Sequence, residues 1–447
     1  MKRMLARKLM IKPASVMMSS VWLVFVSGSV AAAEGLLSLY DLAEQRDAQL
    51  QQAQAQYAAD QELLNQAKSV LLPNVSAQLS YQQNDYSQPV FMAAKENQQQ
   101  KLQLNQPLFD AASFARYEQA KSLVEQAETV YLLSQQQLML RLSQAYFEVL
   151  KAQQLLSFAQ AQLASTEKQR DQIDAGVKVG LTNPIDLLEV QARYDMALAD
   201  VSQANNQLTI SQENLSRLIG QPLPLLKSLA LTTQLPGLAE TPEQLSKEQS
   251  QSNLTVRLNQ RKLQASEQQV TASRAAHYPT VSLQASMSNL DAKLSQPSPL
   301  ISYPYQTNSI GVVVNVPLYS GGLVNSQIRQ AEQQRAAAQA GLRYADEQAR
   351  LDVLSLAKTV TMSQSRLQAL RQAVISNEAF LQAAEEGNRV GLKSLVDVLN
   401  ARTLLYKAKQ DLANVLFDDV QNRLSLRAAQ GVLSRDDLVG VERFLRD

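Results

Sequence analysis

The sequence predicts a mainly α-helical chain that contains two pairs of membrane β-strands and that arose by internal duplication. Three observations predict this fold class. The same order of landmarks occurs twice, with Pro73 matching Pro279 and Gly180 matching Gly391. Long segments without helix breakers lie between the landmarks, and short segments of alternating apolar and polar residues follow the matching prolines. Ordered landmarks across a whole chain indicate duplication, and two copies are too few for a solenoid.

The N-terminal residues 1–33 have the composition of a secretory signal peptide. Five basic residues and no acidic ones precede an apolar run over 21–30, which is followed by three alanines. The whole chain carries 42 Lys and Arg against 41 Asp and Glu, so removal of this basic leader leaves a net negative protein. That charge argues against nucleic acid as a partner.

Two absences restrict the class of protein further. Beyond the leader, no run of about 18 apolar residues predicts a transmembrane helix, so we expect the chain to leave the inner membrane completely. Cysteine is absent, which excludes disulfides, thiolate metal sites and a lipidated N-terminal cysteine. Any membrane attachment is therefore expected to come from the strands.

Two long helices dominate the prediction, one over 111–175 and one over 324–386. The first range contains no glycine or proline and would be ~98 Å long at ~1.5 Å per residue. Apolar residues at alternating spacings of three and four predict coiled-coil packing in both ranges. Shorter helices are expected over 38–70, 184–219 and 395–430, where two short helices would stack alongside one long helix.

The strand pairs are predicted at about 74–109 and 280–318. One face carries Val, Leu, Ala and Tyr while the other carries Ser, Gln and Asn, and each alternating segment has the ~9 residues that a tilted membrane strand needs. Long loops are expected at about 83–100 and 288–308, on one side of the sheet only, as in outer-membrane barrels. A small sheet covered by helices is the alternative, but a face of Ser, Gln and Asn suits a water-filled lumen.

Four strands cannot close a barrel alone, and an open sheet edge cannot exist in lipid. Two chains would provide eight strands, whose lumen is filled by side chains, whereas three chains would provide twelve, enough for an aqueous channel. We therefore expect a homotrimer in contact with membrane lipid.

These features together resemble the TolC family of outer-membrane channel-tunnels. The resemblance covers essentially the whole mature chain and rests on the proline-bounded strand pairs, the segments NQPLFD and NVPLYSGG, and two VGL motifs followed by aspartates. The stretch EEGNRVGLKSLVDVLNARTLLYKAKQDLANV is similar to the helix-hairpin tip of that family. The resemblance implies a trimer whose twelve-stranded outer-membrane β-barrel continues into a periplasmic α-barrel of twelve helices.

The resemblance also implies a function and partners. Family members are outer-membrane exit ducts of tripartite export systems, which carry drugs, toxic small molecules or secreted proteins out of the cell. Their partners are a periplasmic adaptor and an inner-membrane transporter of the RND, ABC or MFS type. Two other function classes stay open on the residues alone, a passive outer-membrane porin and a periplasmic coiled-coil adaptor.

The predicted organisation is a leader followed by two repeats, 34–220 and 254–433. The segment 221–253 between them is expected to form the family's equatorial belt together with the C-terminal tail 434–447. Each repeat would contain a helix, a strand pair, a long helix and a further helix.

The family motifs assign two groups of site residues. The adaptor-binding positions are the two VGL motifs: Val179, Gly180, Leu181, Val390, Gly391 and Leu392. The gate positions are Asp186, Asn388, Arg389, Lys393, Asp397 and Asn400. Asn400 stands where the family pattern has a second aspartate and Asn388 where it has a tyrosine, so we expect a less acidic constriction.

Asp186 and Asp397 also have a simpler interpretation. Each follows an N-cap residue by three positions, Asn183 or Ser394, and an acid at that position stabilises a helix N-terminus. The two roles are compatible. No combination of residues indicates catalysis, a metal site or a cofactor, and the single histidine, His277, is expected to be structural.

Overall fold

The computed structural model describes residues 33–86, 94–248, 252–294 and 302–446. The predicted leader lies, apart from its last residue, outside this part of the chain. Two long helices dominate the described residues, and both exceed the ranges predicted for them. They are α3, Ala111–Lys178 with 68 residues, and α7, Leu323–Arg389 with 67 residues.

Shorter helices accompany the two long ones. In chain order they are α1 Leu36–Arg46, α2 Ala48–Ser69, α4 Pro184–Ile219, α5 Pro242–Glu248, α6 Leu254–Ala275, α8 Leu395–Ala429 and α9 Arg435–Glu442. The strands are β1 Asn74–Gln83, β2 Ala94–Phe109, β3 Ser228–Leu229, β4 Thr280–Leu294, β5 Ser302–Asn315 and β6 Leu445–Arg446.

The helices form a wall with two different margins. Helix α3 packs against α2 and α6 over its first half and against α4 and α8 over its second half, while α7 packs against α6 and α8. One margin of the wall is therefore formed by α2 and α4, and the other by α7. Apolar residues at heptad spacing make this packing, since Leu138, Leu142 and Val149 of α3 are 0% exposed.

The four long strands form one antiparallel sheet in the order β1-β2-β4-β5. Strand β2 pairs with β4, with Leu102 opposite Met287, so the sheet joins the two halves of the chain. Strand β4 pairs with β5, with Ala285 opposite Ile310. In the part of the chain that the structure describes, the outer edges of β1 and β5 pair with no other strand. The sheet is thus open at both edges.

The main apolar core lies midway along the helices, where the segments 221–248 and 434–446 meet the wall. Strand β3 pairs with β6, and the Tyr146 hydroxyl donates a hydrogen bond to the Lys227 carbonyl oxygen at 2.6 Å. Beneath this layer Phe147 and Phe417 are 2% and 1% exposed, with ring centroids 6.0 Å apart. We call this layer, together with the apolar core beneath it, the belt.

Two predictions are wrong in their boundaries. A single helix over 38–70 was expected, but Asp47 interrupts it with extended backbone at ψ 118°. Its carboxylate accepts a 2.8 Å hydrogen bond from the Leu50 amide and pairs with Arg141 of α3 at 3.0 Å. Asp47 thus caps the N-terminus of α2 and links it to α3.

The strands are also longer than the ~9 residues expected. Strands β2, β4 and β5 have 16, 15 and 14 residues, so much of the ranges predicted as loops is paired sheet. Within residues 33–86, 94–248, 252–294 and 302–446, no helix combines the length and apolarity that crossing a membrane requires.

Candidate functional site

The two VGL motifs form the turns that join α3 to α4 and α7 to α8. Gly180 and Gly391 have φ angles of 76° and 78°, in the left-handed region that favours glycine. The Leu181 amide donates to the Gly176 carbonyl at 2.8 Å, and the Leu392 amide donates to the Gly387 carbonyl at 2.8 Å. These bonds satisfy carbonyl groups at the helix ends, so each motif is a helix C-cap of the Schellman type.

The apolar side chains of both turns are exposed. Val179 and Leu181 are 68% and 81% exposed, and Val390 and Leu392 are 66% and 82% exposed. No atom lies within 4 Å of the position that a Cβ would take at Gly180 or Gly391. Each turn therefore presents two apolar side chains beside bare backbone, which is the kind of surface that a partner covers.

A second pair of glycines keeps the turns tight. A Cβ at Gly176 would lie 2.7 Å from Thr182 Oγ1, and a Cβ at Gly387 would lie 2.9 Å from Lys393 Cγ. At both places a side chain on the glycine would have to displace the side chain of Thr182 or Lys393. Asn388 adds to the second turn, since its Nδ2 donates to the Lys393 carbonyl at 2.9 Å.

Asp397 lies in a complete capping box at the start of α8. Its Oδ2 accepts hydrogen bonds from the Ser394 amide at 3.0 Å and the Ser394 hydroxyl at 2.9 Å, while its own amide donates to Ser394 Oγ at 3.2 Å. These bonds, helped by the charge of Lys393, hold the pKa of Asp397 below its usual value. The carboxylate is therefore ionised at neutral pH, and its capping contribution is lost only as the pH falls through that lowered pKa.

Asp186 occupies the first turn of α4, where Asn183 is the N-cap and Pro184 opens the helix. Asn183 Oδ1 accepts from the Ile185 amide at 3.0 Å. No ion pair joins Asp186 to Lys393 or Arg389 among the described residues of one chain, and Arg389 pairs instead with Glu386. The helix-capping positions of both aspartates are thus in place, while the expected tie between Asp186 and Lys393 is not made within a chain.

The two hairpins touch through residues that the sequence analysis did not connect. Arg193 of α4 donates from Nη1 to Asn400 Oδ1 of α8 at 3.4 Å, and its Nη2 pairs with Glu189 at 3.0 Å. Beside this contact, Ile173 and Val190 pack with Leu399 of α8 in one apolar cluster. Only the Glu189 to Arg193 spacing was a visible signal, because i,i+4 pairs of opposite charge are common on helix surfaces.

Within the described ranges no group of three or more His, Cys, Asp and Glu residues is arranged to hold a metal ion. What the site offers is two exposed apolar turns and a set of polar residues just behind them.

The chain matches the Outer membrane efflux protein family over residues 39–221 and 245–432. It is 32% identical over 421 residues to the outer membrane protein TolC of Vibrio cholerae, covering 94% of this chain and 95% of that protein. It is 30% identical to the proteases secretion protein PrtF of Dickeya chrysanthemi, covering 93% and 92%. The solved structure of VceC from Vibrio cholerae is similar with a TM-score of 0.74 at 20% identity, over 89% of this chain and 96% of that one, which is a likeness of fold.

Proposed function

Because the chain belongs to the outer membrane efflux protein family and is an outer-membrane exit duct of tripartite export systems, we propose that it works as a homotrimer. The observation that carries this proposal is the four-stranded sheet with two open edges, β1 and β5. Unpaired backbone groups cannot face hydrocarbon, so these edges must pair with those of other copies. Three copies would give a twelve-stranded barrel wide enough for a channel, whereas two would give eight strands and a filled lumen.

The two margins of the helical wall also support a ring of copies, in which each copy contacts the next head to tail. On the outer side of α7, Tyr344, Leu351 and Met362 are 69%, 57% and 73% exposed. On α4, at the opposite margin, Met196 and Leu198 are 69% and 50% exposed. Exposed apolar residues on both margins suit a heterologous interface that closes into a ring, in which α7 of one copy covers α2 and α4 of the next.

The sheet itself supports contact with outer-membrane lipid. On the apolar face Val75, Leu79 and Ile310 are 63%, 80% and 77% exposed in the single chain. Opposite residues share a face, and the other face carries Ser76, Gln103 and similar polar side chains. We assign the apolar face to lipid and the polar face to the lumen.

We expect light scattering of the detergent-purified protein, corrected for bound detergent, to give three times the mass of the mature chain. Open sheet edges and apolar margins leave no stable monomer in a bilayer. A monomeric mass with an intact strand signal in circular dichroism would contradict the proposed homotrimer.

The two halves of the chain follow the same succession of elements, and the family matches them in two blocks, 39–221 and 245–432. We propose that 34–220 and 254–433 are duplicated repeats, that 221–253 and 434–447 form an equatorial belt, and that residues 1–33 direct export. Each trimer would then carry six helix hairpins, two from each copy.

We propose that the hairpin tips bind a periplasmic adaptor, which in turn recruits an inner-membrane transporter of the RND, ABC or MFS type. The support is the exposure of Val179, Leu181, Val390 and Leu392 beside bare glycine backbone.

The relatives are channel and efflux proteins rather than enzymes, and their names include both efflux and protease secretion. Drugs, toxic small molecules and secreted proteins are therefore the candidate cargoes, and crosslinking in the native cell followed by identification of the captured transporter would decide between them.

We assign the gate to the polar residues behind the tips: Asp186, Asn388, Arg389, Lys393, Asp397 and Asn400. In a closed ring α7 of one copy neighbours α4 of the next, so Lys393 would reach Asp186 of the neighbouring protomer. Exposed pairs of this kind contribute only about 0 to 1 kcal/mol each. Closure would rest on several weak links repeated three times, including the contact between Arg193 and Asn400 within each copy.

Asp186→Ala is expected to raise the single-channel conductance in planar bilayers partially, because it removes one set of links and leaves the others. Asp195→Ala is the matched control, since Asp195 lies on the same helix and accepts a hydrogen bond from its neighbour Gln191, one turn away. Equal conductance for the two variants would remove Asp186 from the gate.

Asn400→Asp is expected to strengthen block by a trivalent cation, because it adds a second ring of carboxylates near Asp397. Arg193 lies beside position 400 and would neutralise part of the new charge. The double variant with Arg193→Gln should therefore be blocked more tightly than Asn400→Asp alone. If Asp397→Asn leaves cation block of the parent channel unchanged, Asp397 does not line the aperture and acts only as a helix cap.

A further inference from the structure

The apolar face of the sheet ends well before the strands do. Moving away from the helices, its last aliphatic residues are Leu79 in β1, Leu102 in β2, Met287 in β4 and Ile310 in β5. Beyond them β2 continues to Ala94 and the same face becomes polar. Lipid contact therefore accounts for only one part of the sheet.

The limit of the apolar face runs obliquely across the sheet. Leu102 is paired with Met287. Leu79 is opposite Gln100, which lies two residues farther from the helices than Leu102, and Ile310 is opposite Ala285, which lies two residues nearer to them than Met287. The limit thus moves by about four residues over three strand spacings. Strands ~4.8 Å apart and tilted by ~40° require a shift of about 12 Å, or about four residues, for a line parallel to the membrane plane. The oblique limit therefore has, in size, the slope of a line that is level in the membrane.

The part of the sheet beyond this limit projects past the lipid. From Leu102 to Ala94, β2 runs eight more residues, which is about 26 Å along the strand and about 20 Å in height at that tilt. We call the projecting strand segments, 81–83, 94–101, 288–294 and 302–309, the collar. Its outward face is the continuation of the lipid-facing one.

The outward face of the collar is rich in amide side chains. Neighbouring strands place Gln98 and Gln100 beside Asn289 and Asp291, and Gln306 follows on β5. These five residues line a shallow cavity of about 370 Å³. Tyr81 of β1 lies opposite Gln98 and is 60% exposed, so a phenol ring flanks the amides.

The charge of this face favours neutral hydroxyl groups over phosphate. Lys293 is paired with Glu96 at 2.8 Å, and the other ionisable residue nearby, Asp291, is acidic. Among the described side chains of this face a phosphate would meet no cation other than the paired Lys293, whereas amides both donate to and accept from hydroxyl groups. Amides beside an exposed aromatic ring fit the two faces of a sugar, one polar and one apolar.

We propose that the outward face of the collar binds the neutral sugars of outer-leaflet glycolipid, an inference that rests on the lipid-spanning trimer proposed above. A glycolipid whose acyl chains lie against Leu102 and Met287 carries its sugars at the height of Gln98 and Asn289. The barrel is thereby held at one depth by acyl chains below the limit and by saccharide above it.

The projection is tested by labelling intact cells with a polyethylene glycol maleimide too large to enter the pore. The chain contains no cysteine, so the parent protein serves as the control that the maleimide cannot label. Gln98→Cys should be labelled and Leu102→Cys should not, although only four residues separate them. If Gln98→Cys stays unlabelled like Leu102→Cys, the collar does not rise above the lipid.

The sugar contact is tested by counting the lipids that the purified trimer retains in native mass spectrometry. The probes are lipopolysaccharide with a complete core oligosaccharide and lipid A with the same acyl chains. The parent should retain the core-bearing form preferentially. Combining Gln98→Ala, Gln100→Ala and Asn289→Ala should lower that retention about tenfold, because three amide contacts are lost.

The matched control removes three glutamines from the opposite face of the same sheet, on β1 and β2, through Gln78→Ala, Gln99→Ala and Gln103→Ala. It should retain the core-bearing lipid as the parent does. Equal retention of lipid A and the core-bearing form, or equal losses in both triple variants, would overturn the sugar proposal while conductance stays intact. A parent that fails to insert as a trimer would instead overturn the proposed homotrimer.

Discussion

Gly391→Trp is expected to abolish export while trimer formation and outer-membrane insertion stay unchanged. The indole would project from the tip of the second hairpin into open space, since no atom lies within 4 Å of the Cβ position. It would therefore prevent a partner from approaching the bare backbone between Val390 and Leu392. Export is measured as cargo accumulation outside the cell, and the trimer by its mass in detergent.

Two controls separate bulk from backbone strain. Gly391→Ala carries the same cost of a side chain at φ 78°, about 1–2 kcal/mol, without the bulk, and should keep export. Gly321→Trp adds the same bulk at another exposed left-handed glycine, φ 62°, at the opposite end of α7, and should keep it too. Gly180→Trp tests the first hairpin in the same way. Export that survives in both tip variants would show that the tips are not the docking surface.

Phe417→Ala is expected to give the largest loss of stability. The ring is 1% exposed in the belt, packed against Phe147 where α8 meets α3, and removal of such a side chain costs about 3–5 kcal/mol. Because Leu229 of β3 and Leu445 of β6 belong to the same apolar cluster, the loss of stability should extend across the whole belt. The temperature at which the trimer dissociates in detergent should fall clearly.

Phe380→Ala is the control for this variant. Phe380 lies on α7 and is 45% exposed in the single chain, so truncation there removes less buried contact. If Phe417→Ala and Phe380→Ala lower the dissociation temperature equally, the belt is not the main core that holds the helices together.

Periodicity predicted the long helices well because it is a local property. The buried residues Leu138, Leu142 and Val149 of α3 lie on the predicted seam, and the fold class of long helices with four strands is confirmed. The break at Asp47 was not predictable from the absence of glycine and proline. At the break the Asp47 carboxylate pairs with Arg141, which is remote in sequence, so this contact is visible only in the fold.

The strands show a second limit of pattern reading. The apolar positions of β4 follow one face up to Met287 and the opposite face from Leu290 onward. A single alternation therefore predicts the strand only up to the residue where the face changes, although the strand continues to Leu294. At the tips, the sequence motifs predicted the positions of the exposed turns. The contact between Arg193 and Asn400 joins two helices far apart in the chain, so it could be identified only from the fold.

The two unlike margins of the helical wall have a genetic consequence. In the proposed trimer every copy would offer an intact α7 to one neighbour and intact α2 and α4 to the other, so one defective copy would leave the ring open whatever its companions are. A mutant allele damaged at one margin, expressed beside the normal allele at equal level, would leave about one-eighth of randomly assembled rings entirely normal. Such an allele would behave as dominant over the normal one, whereas an allele that fails to fold would be recessive.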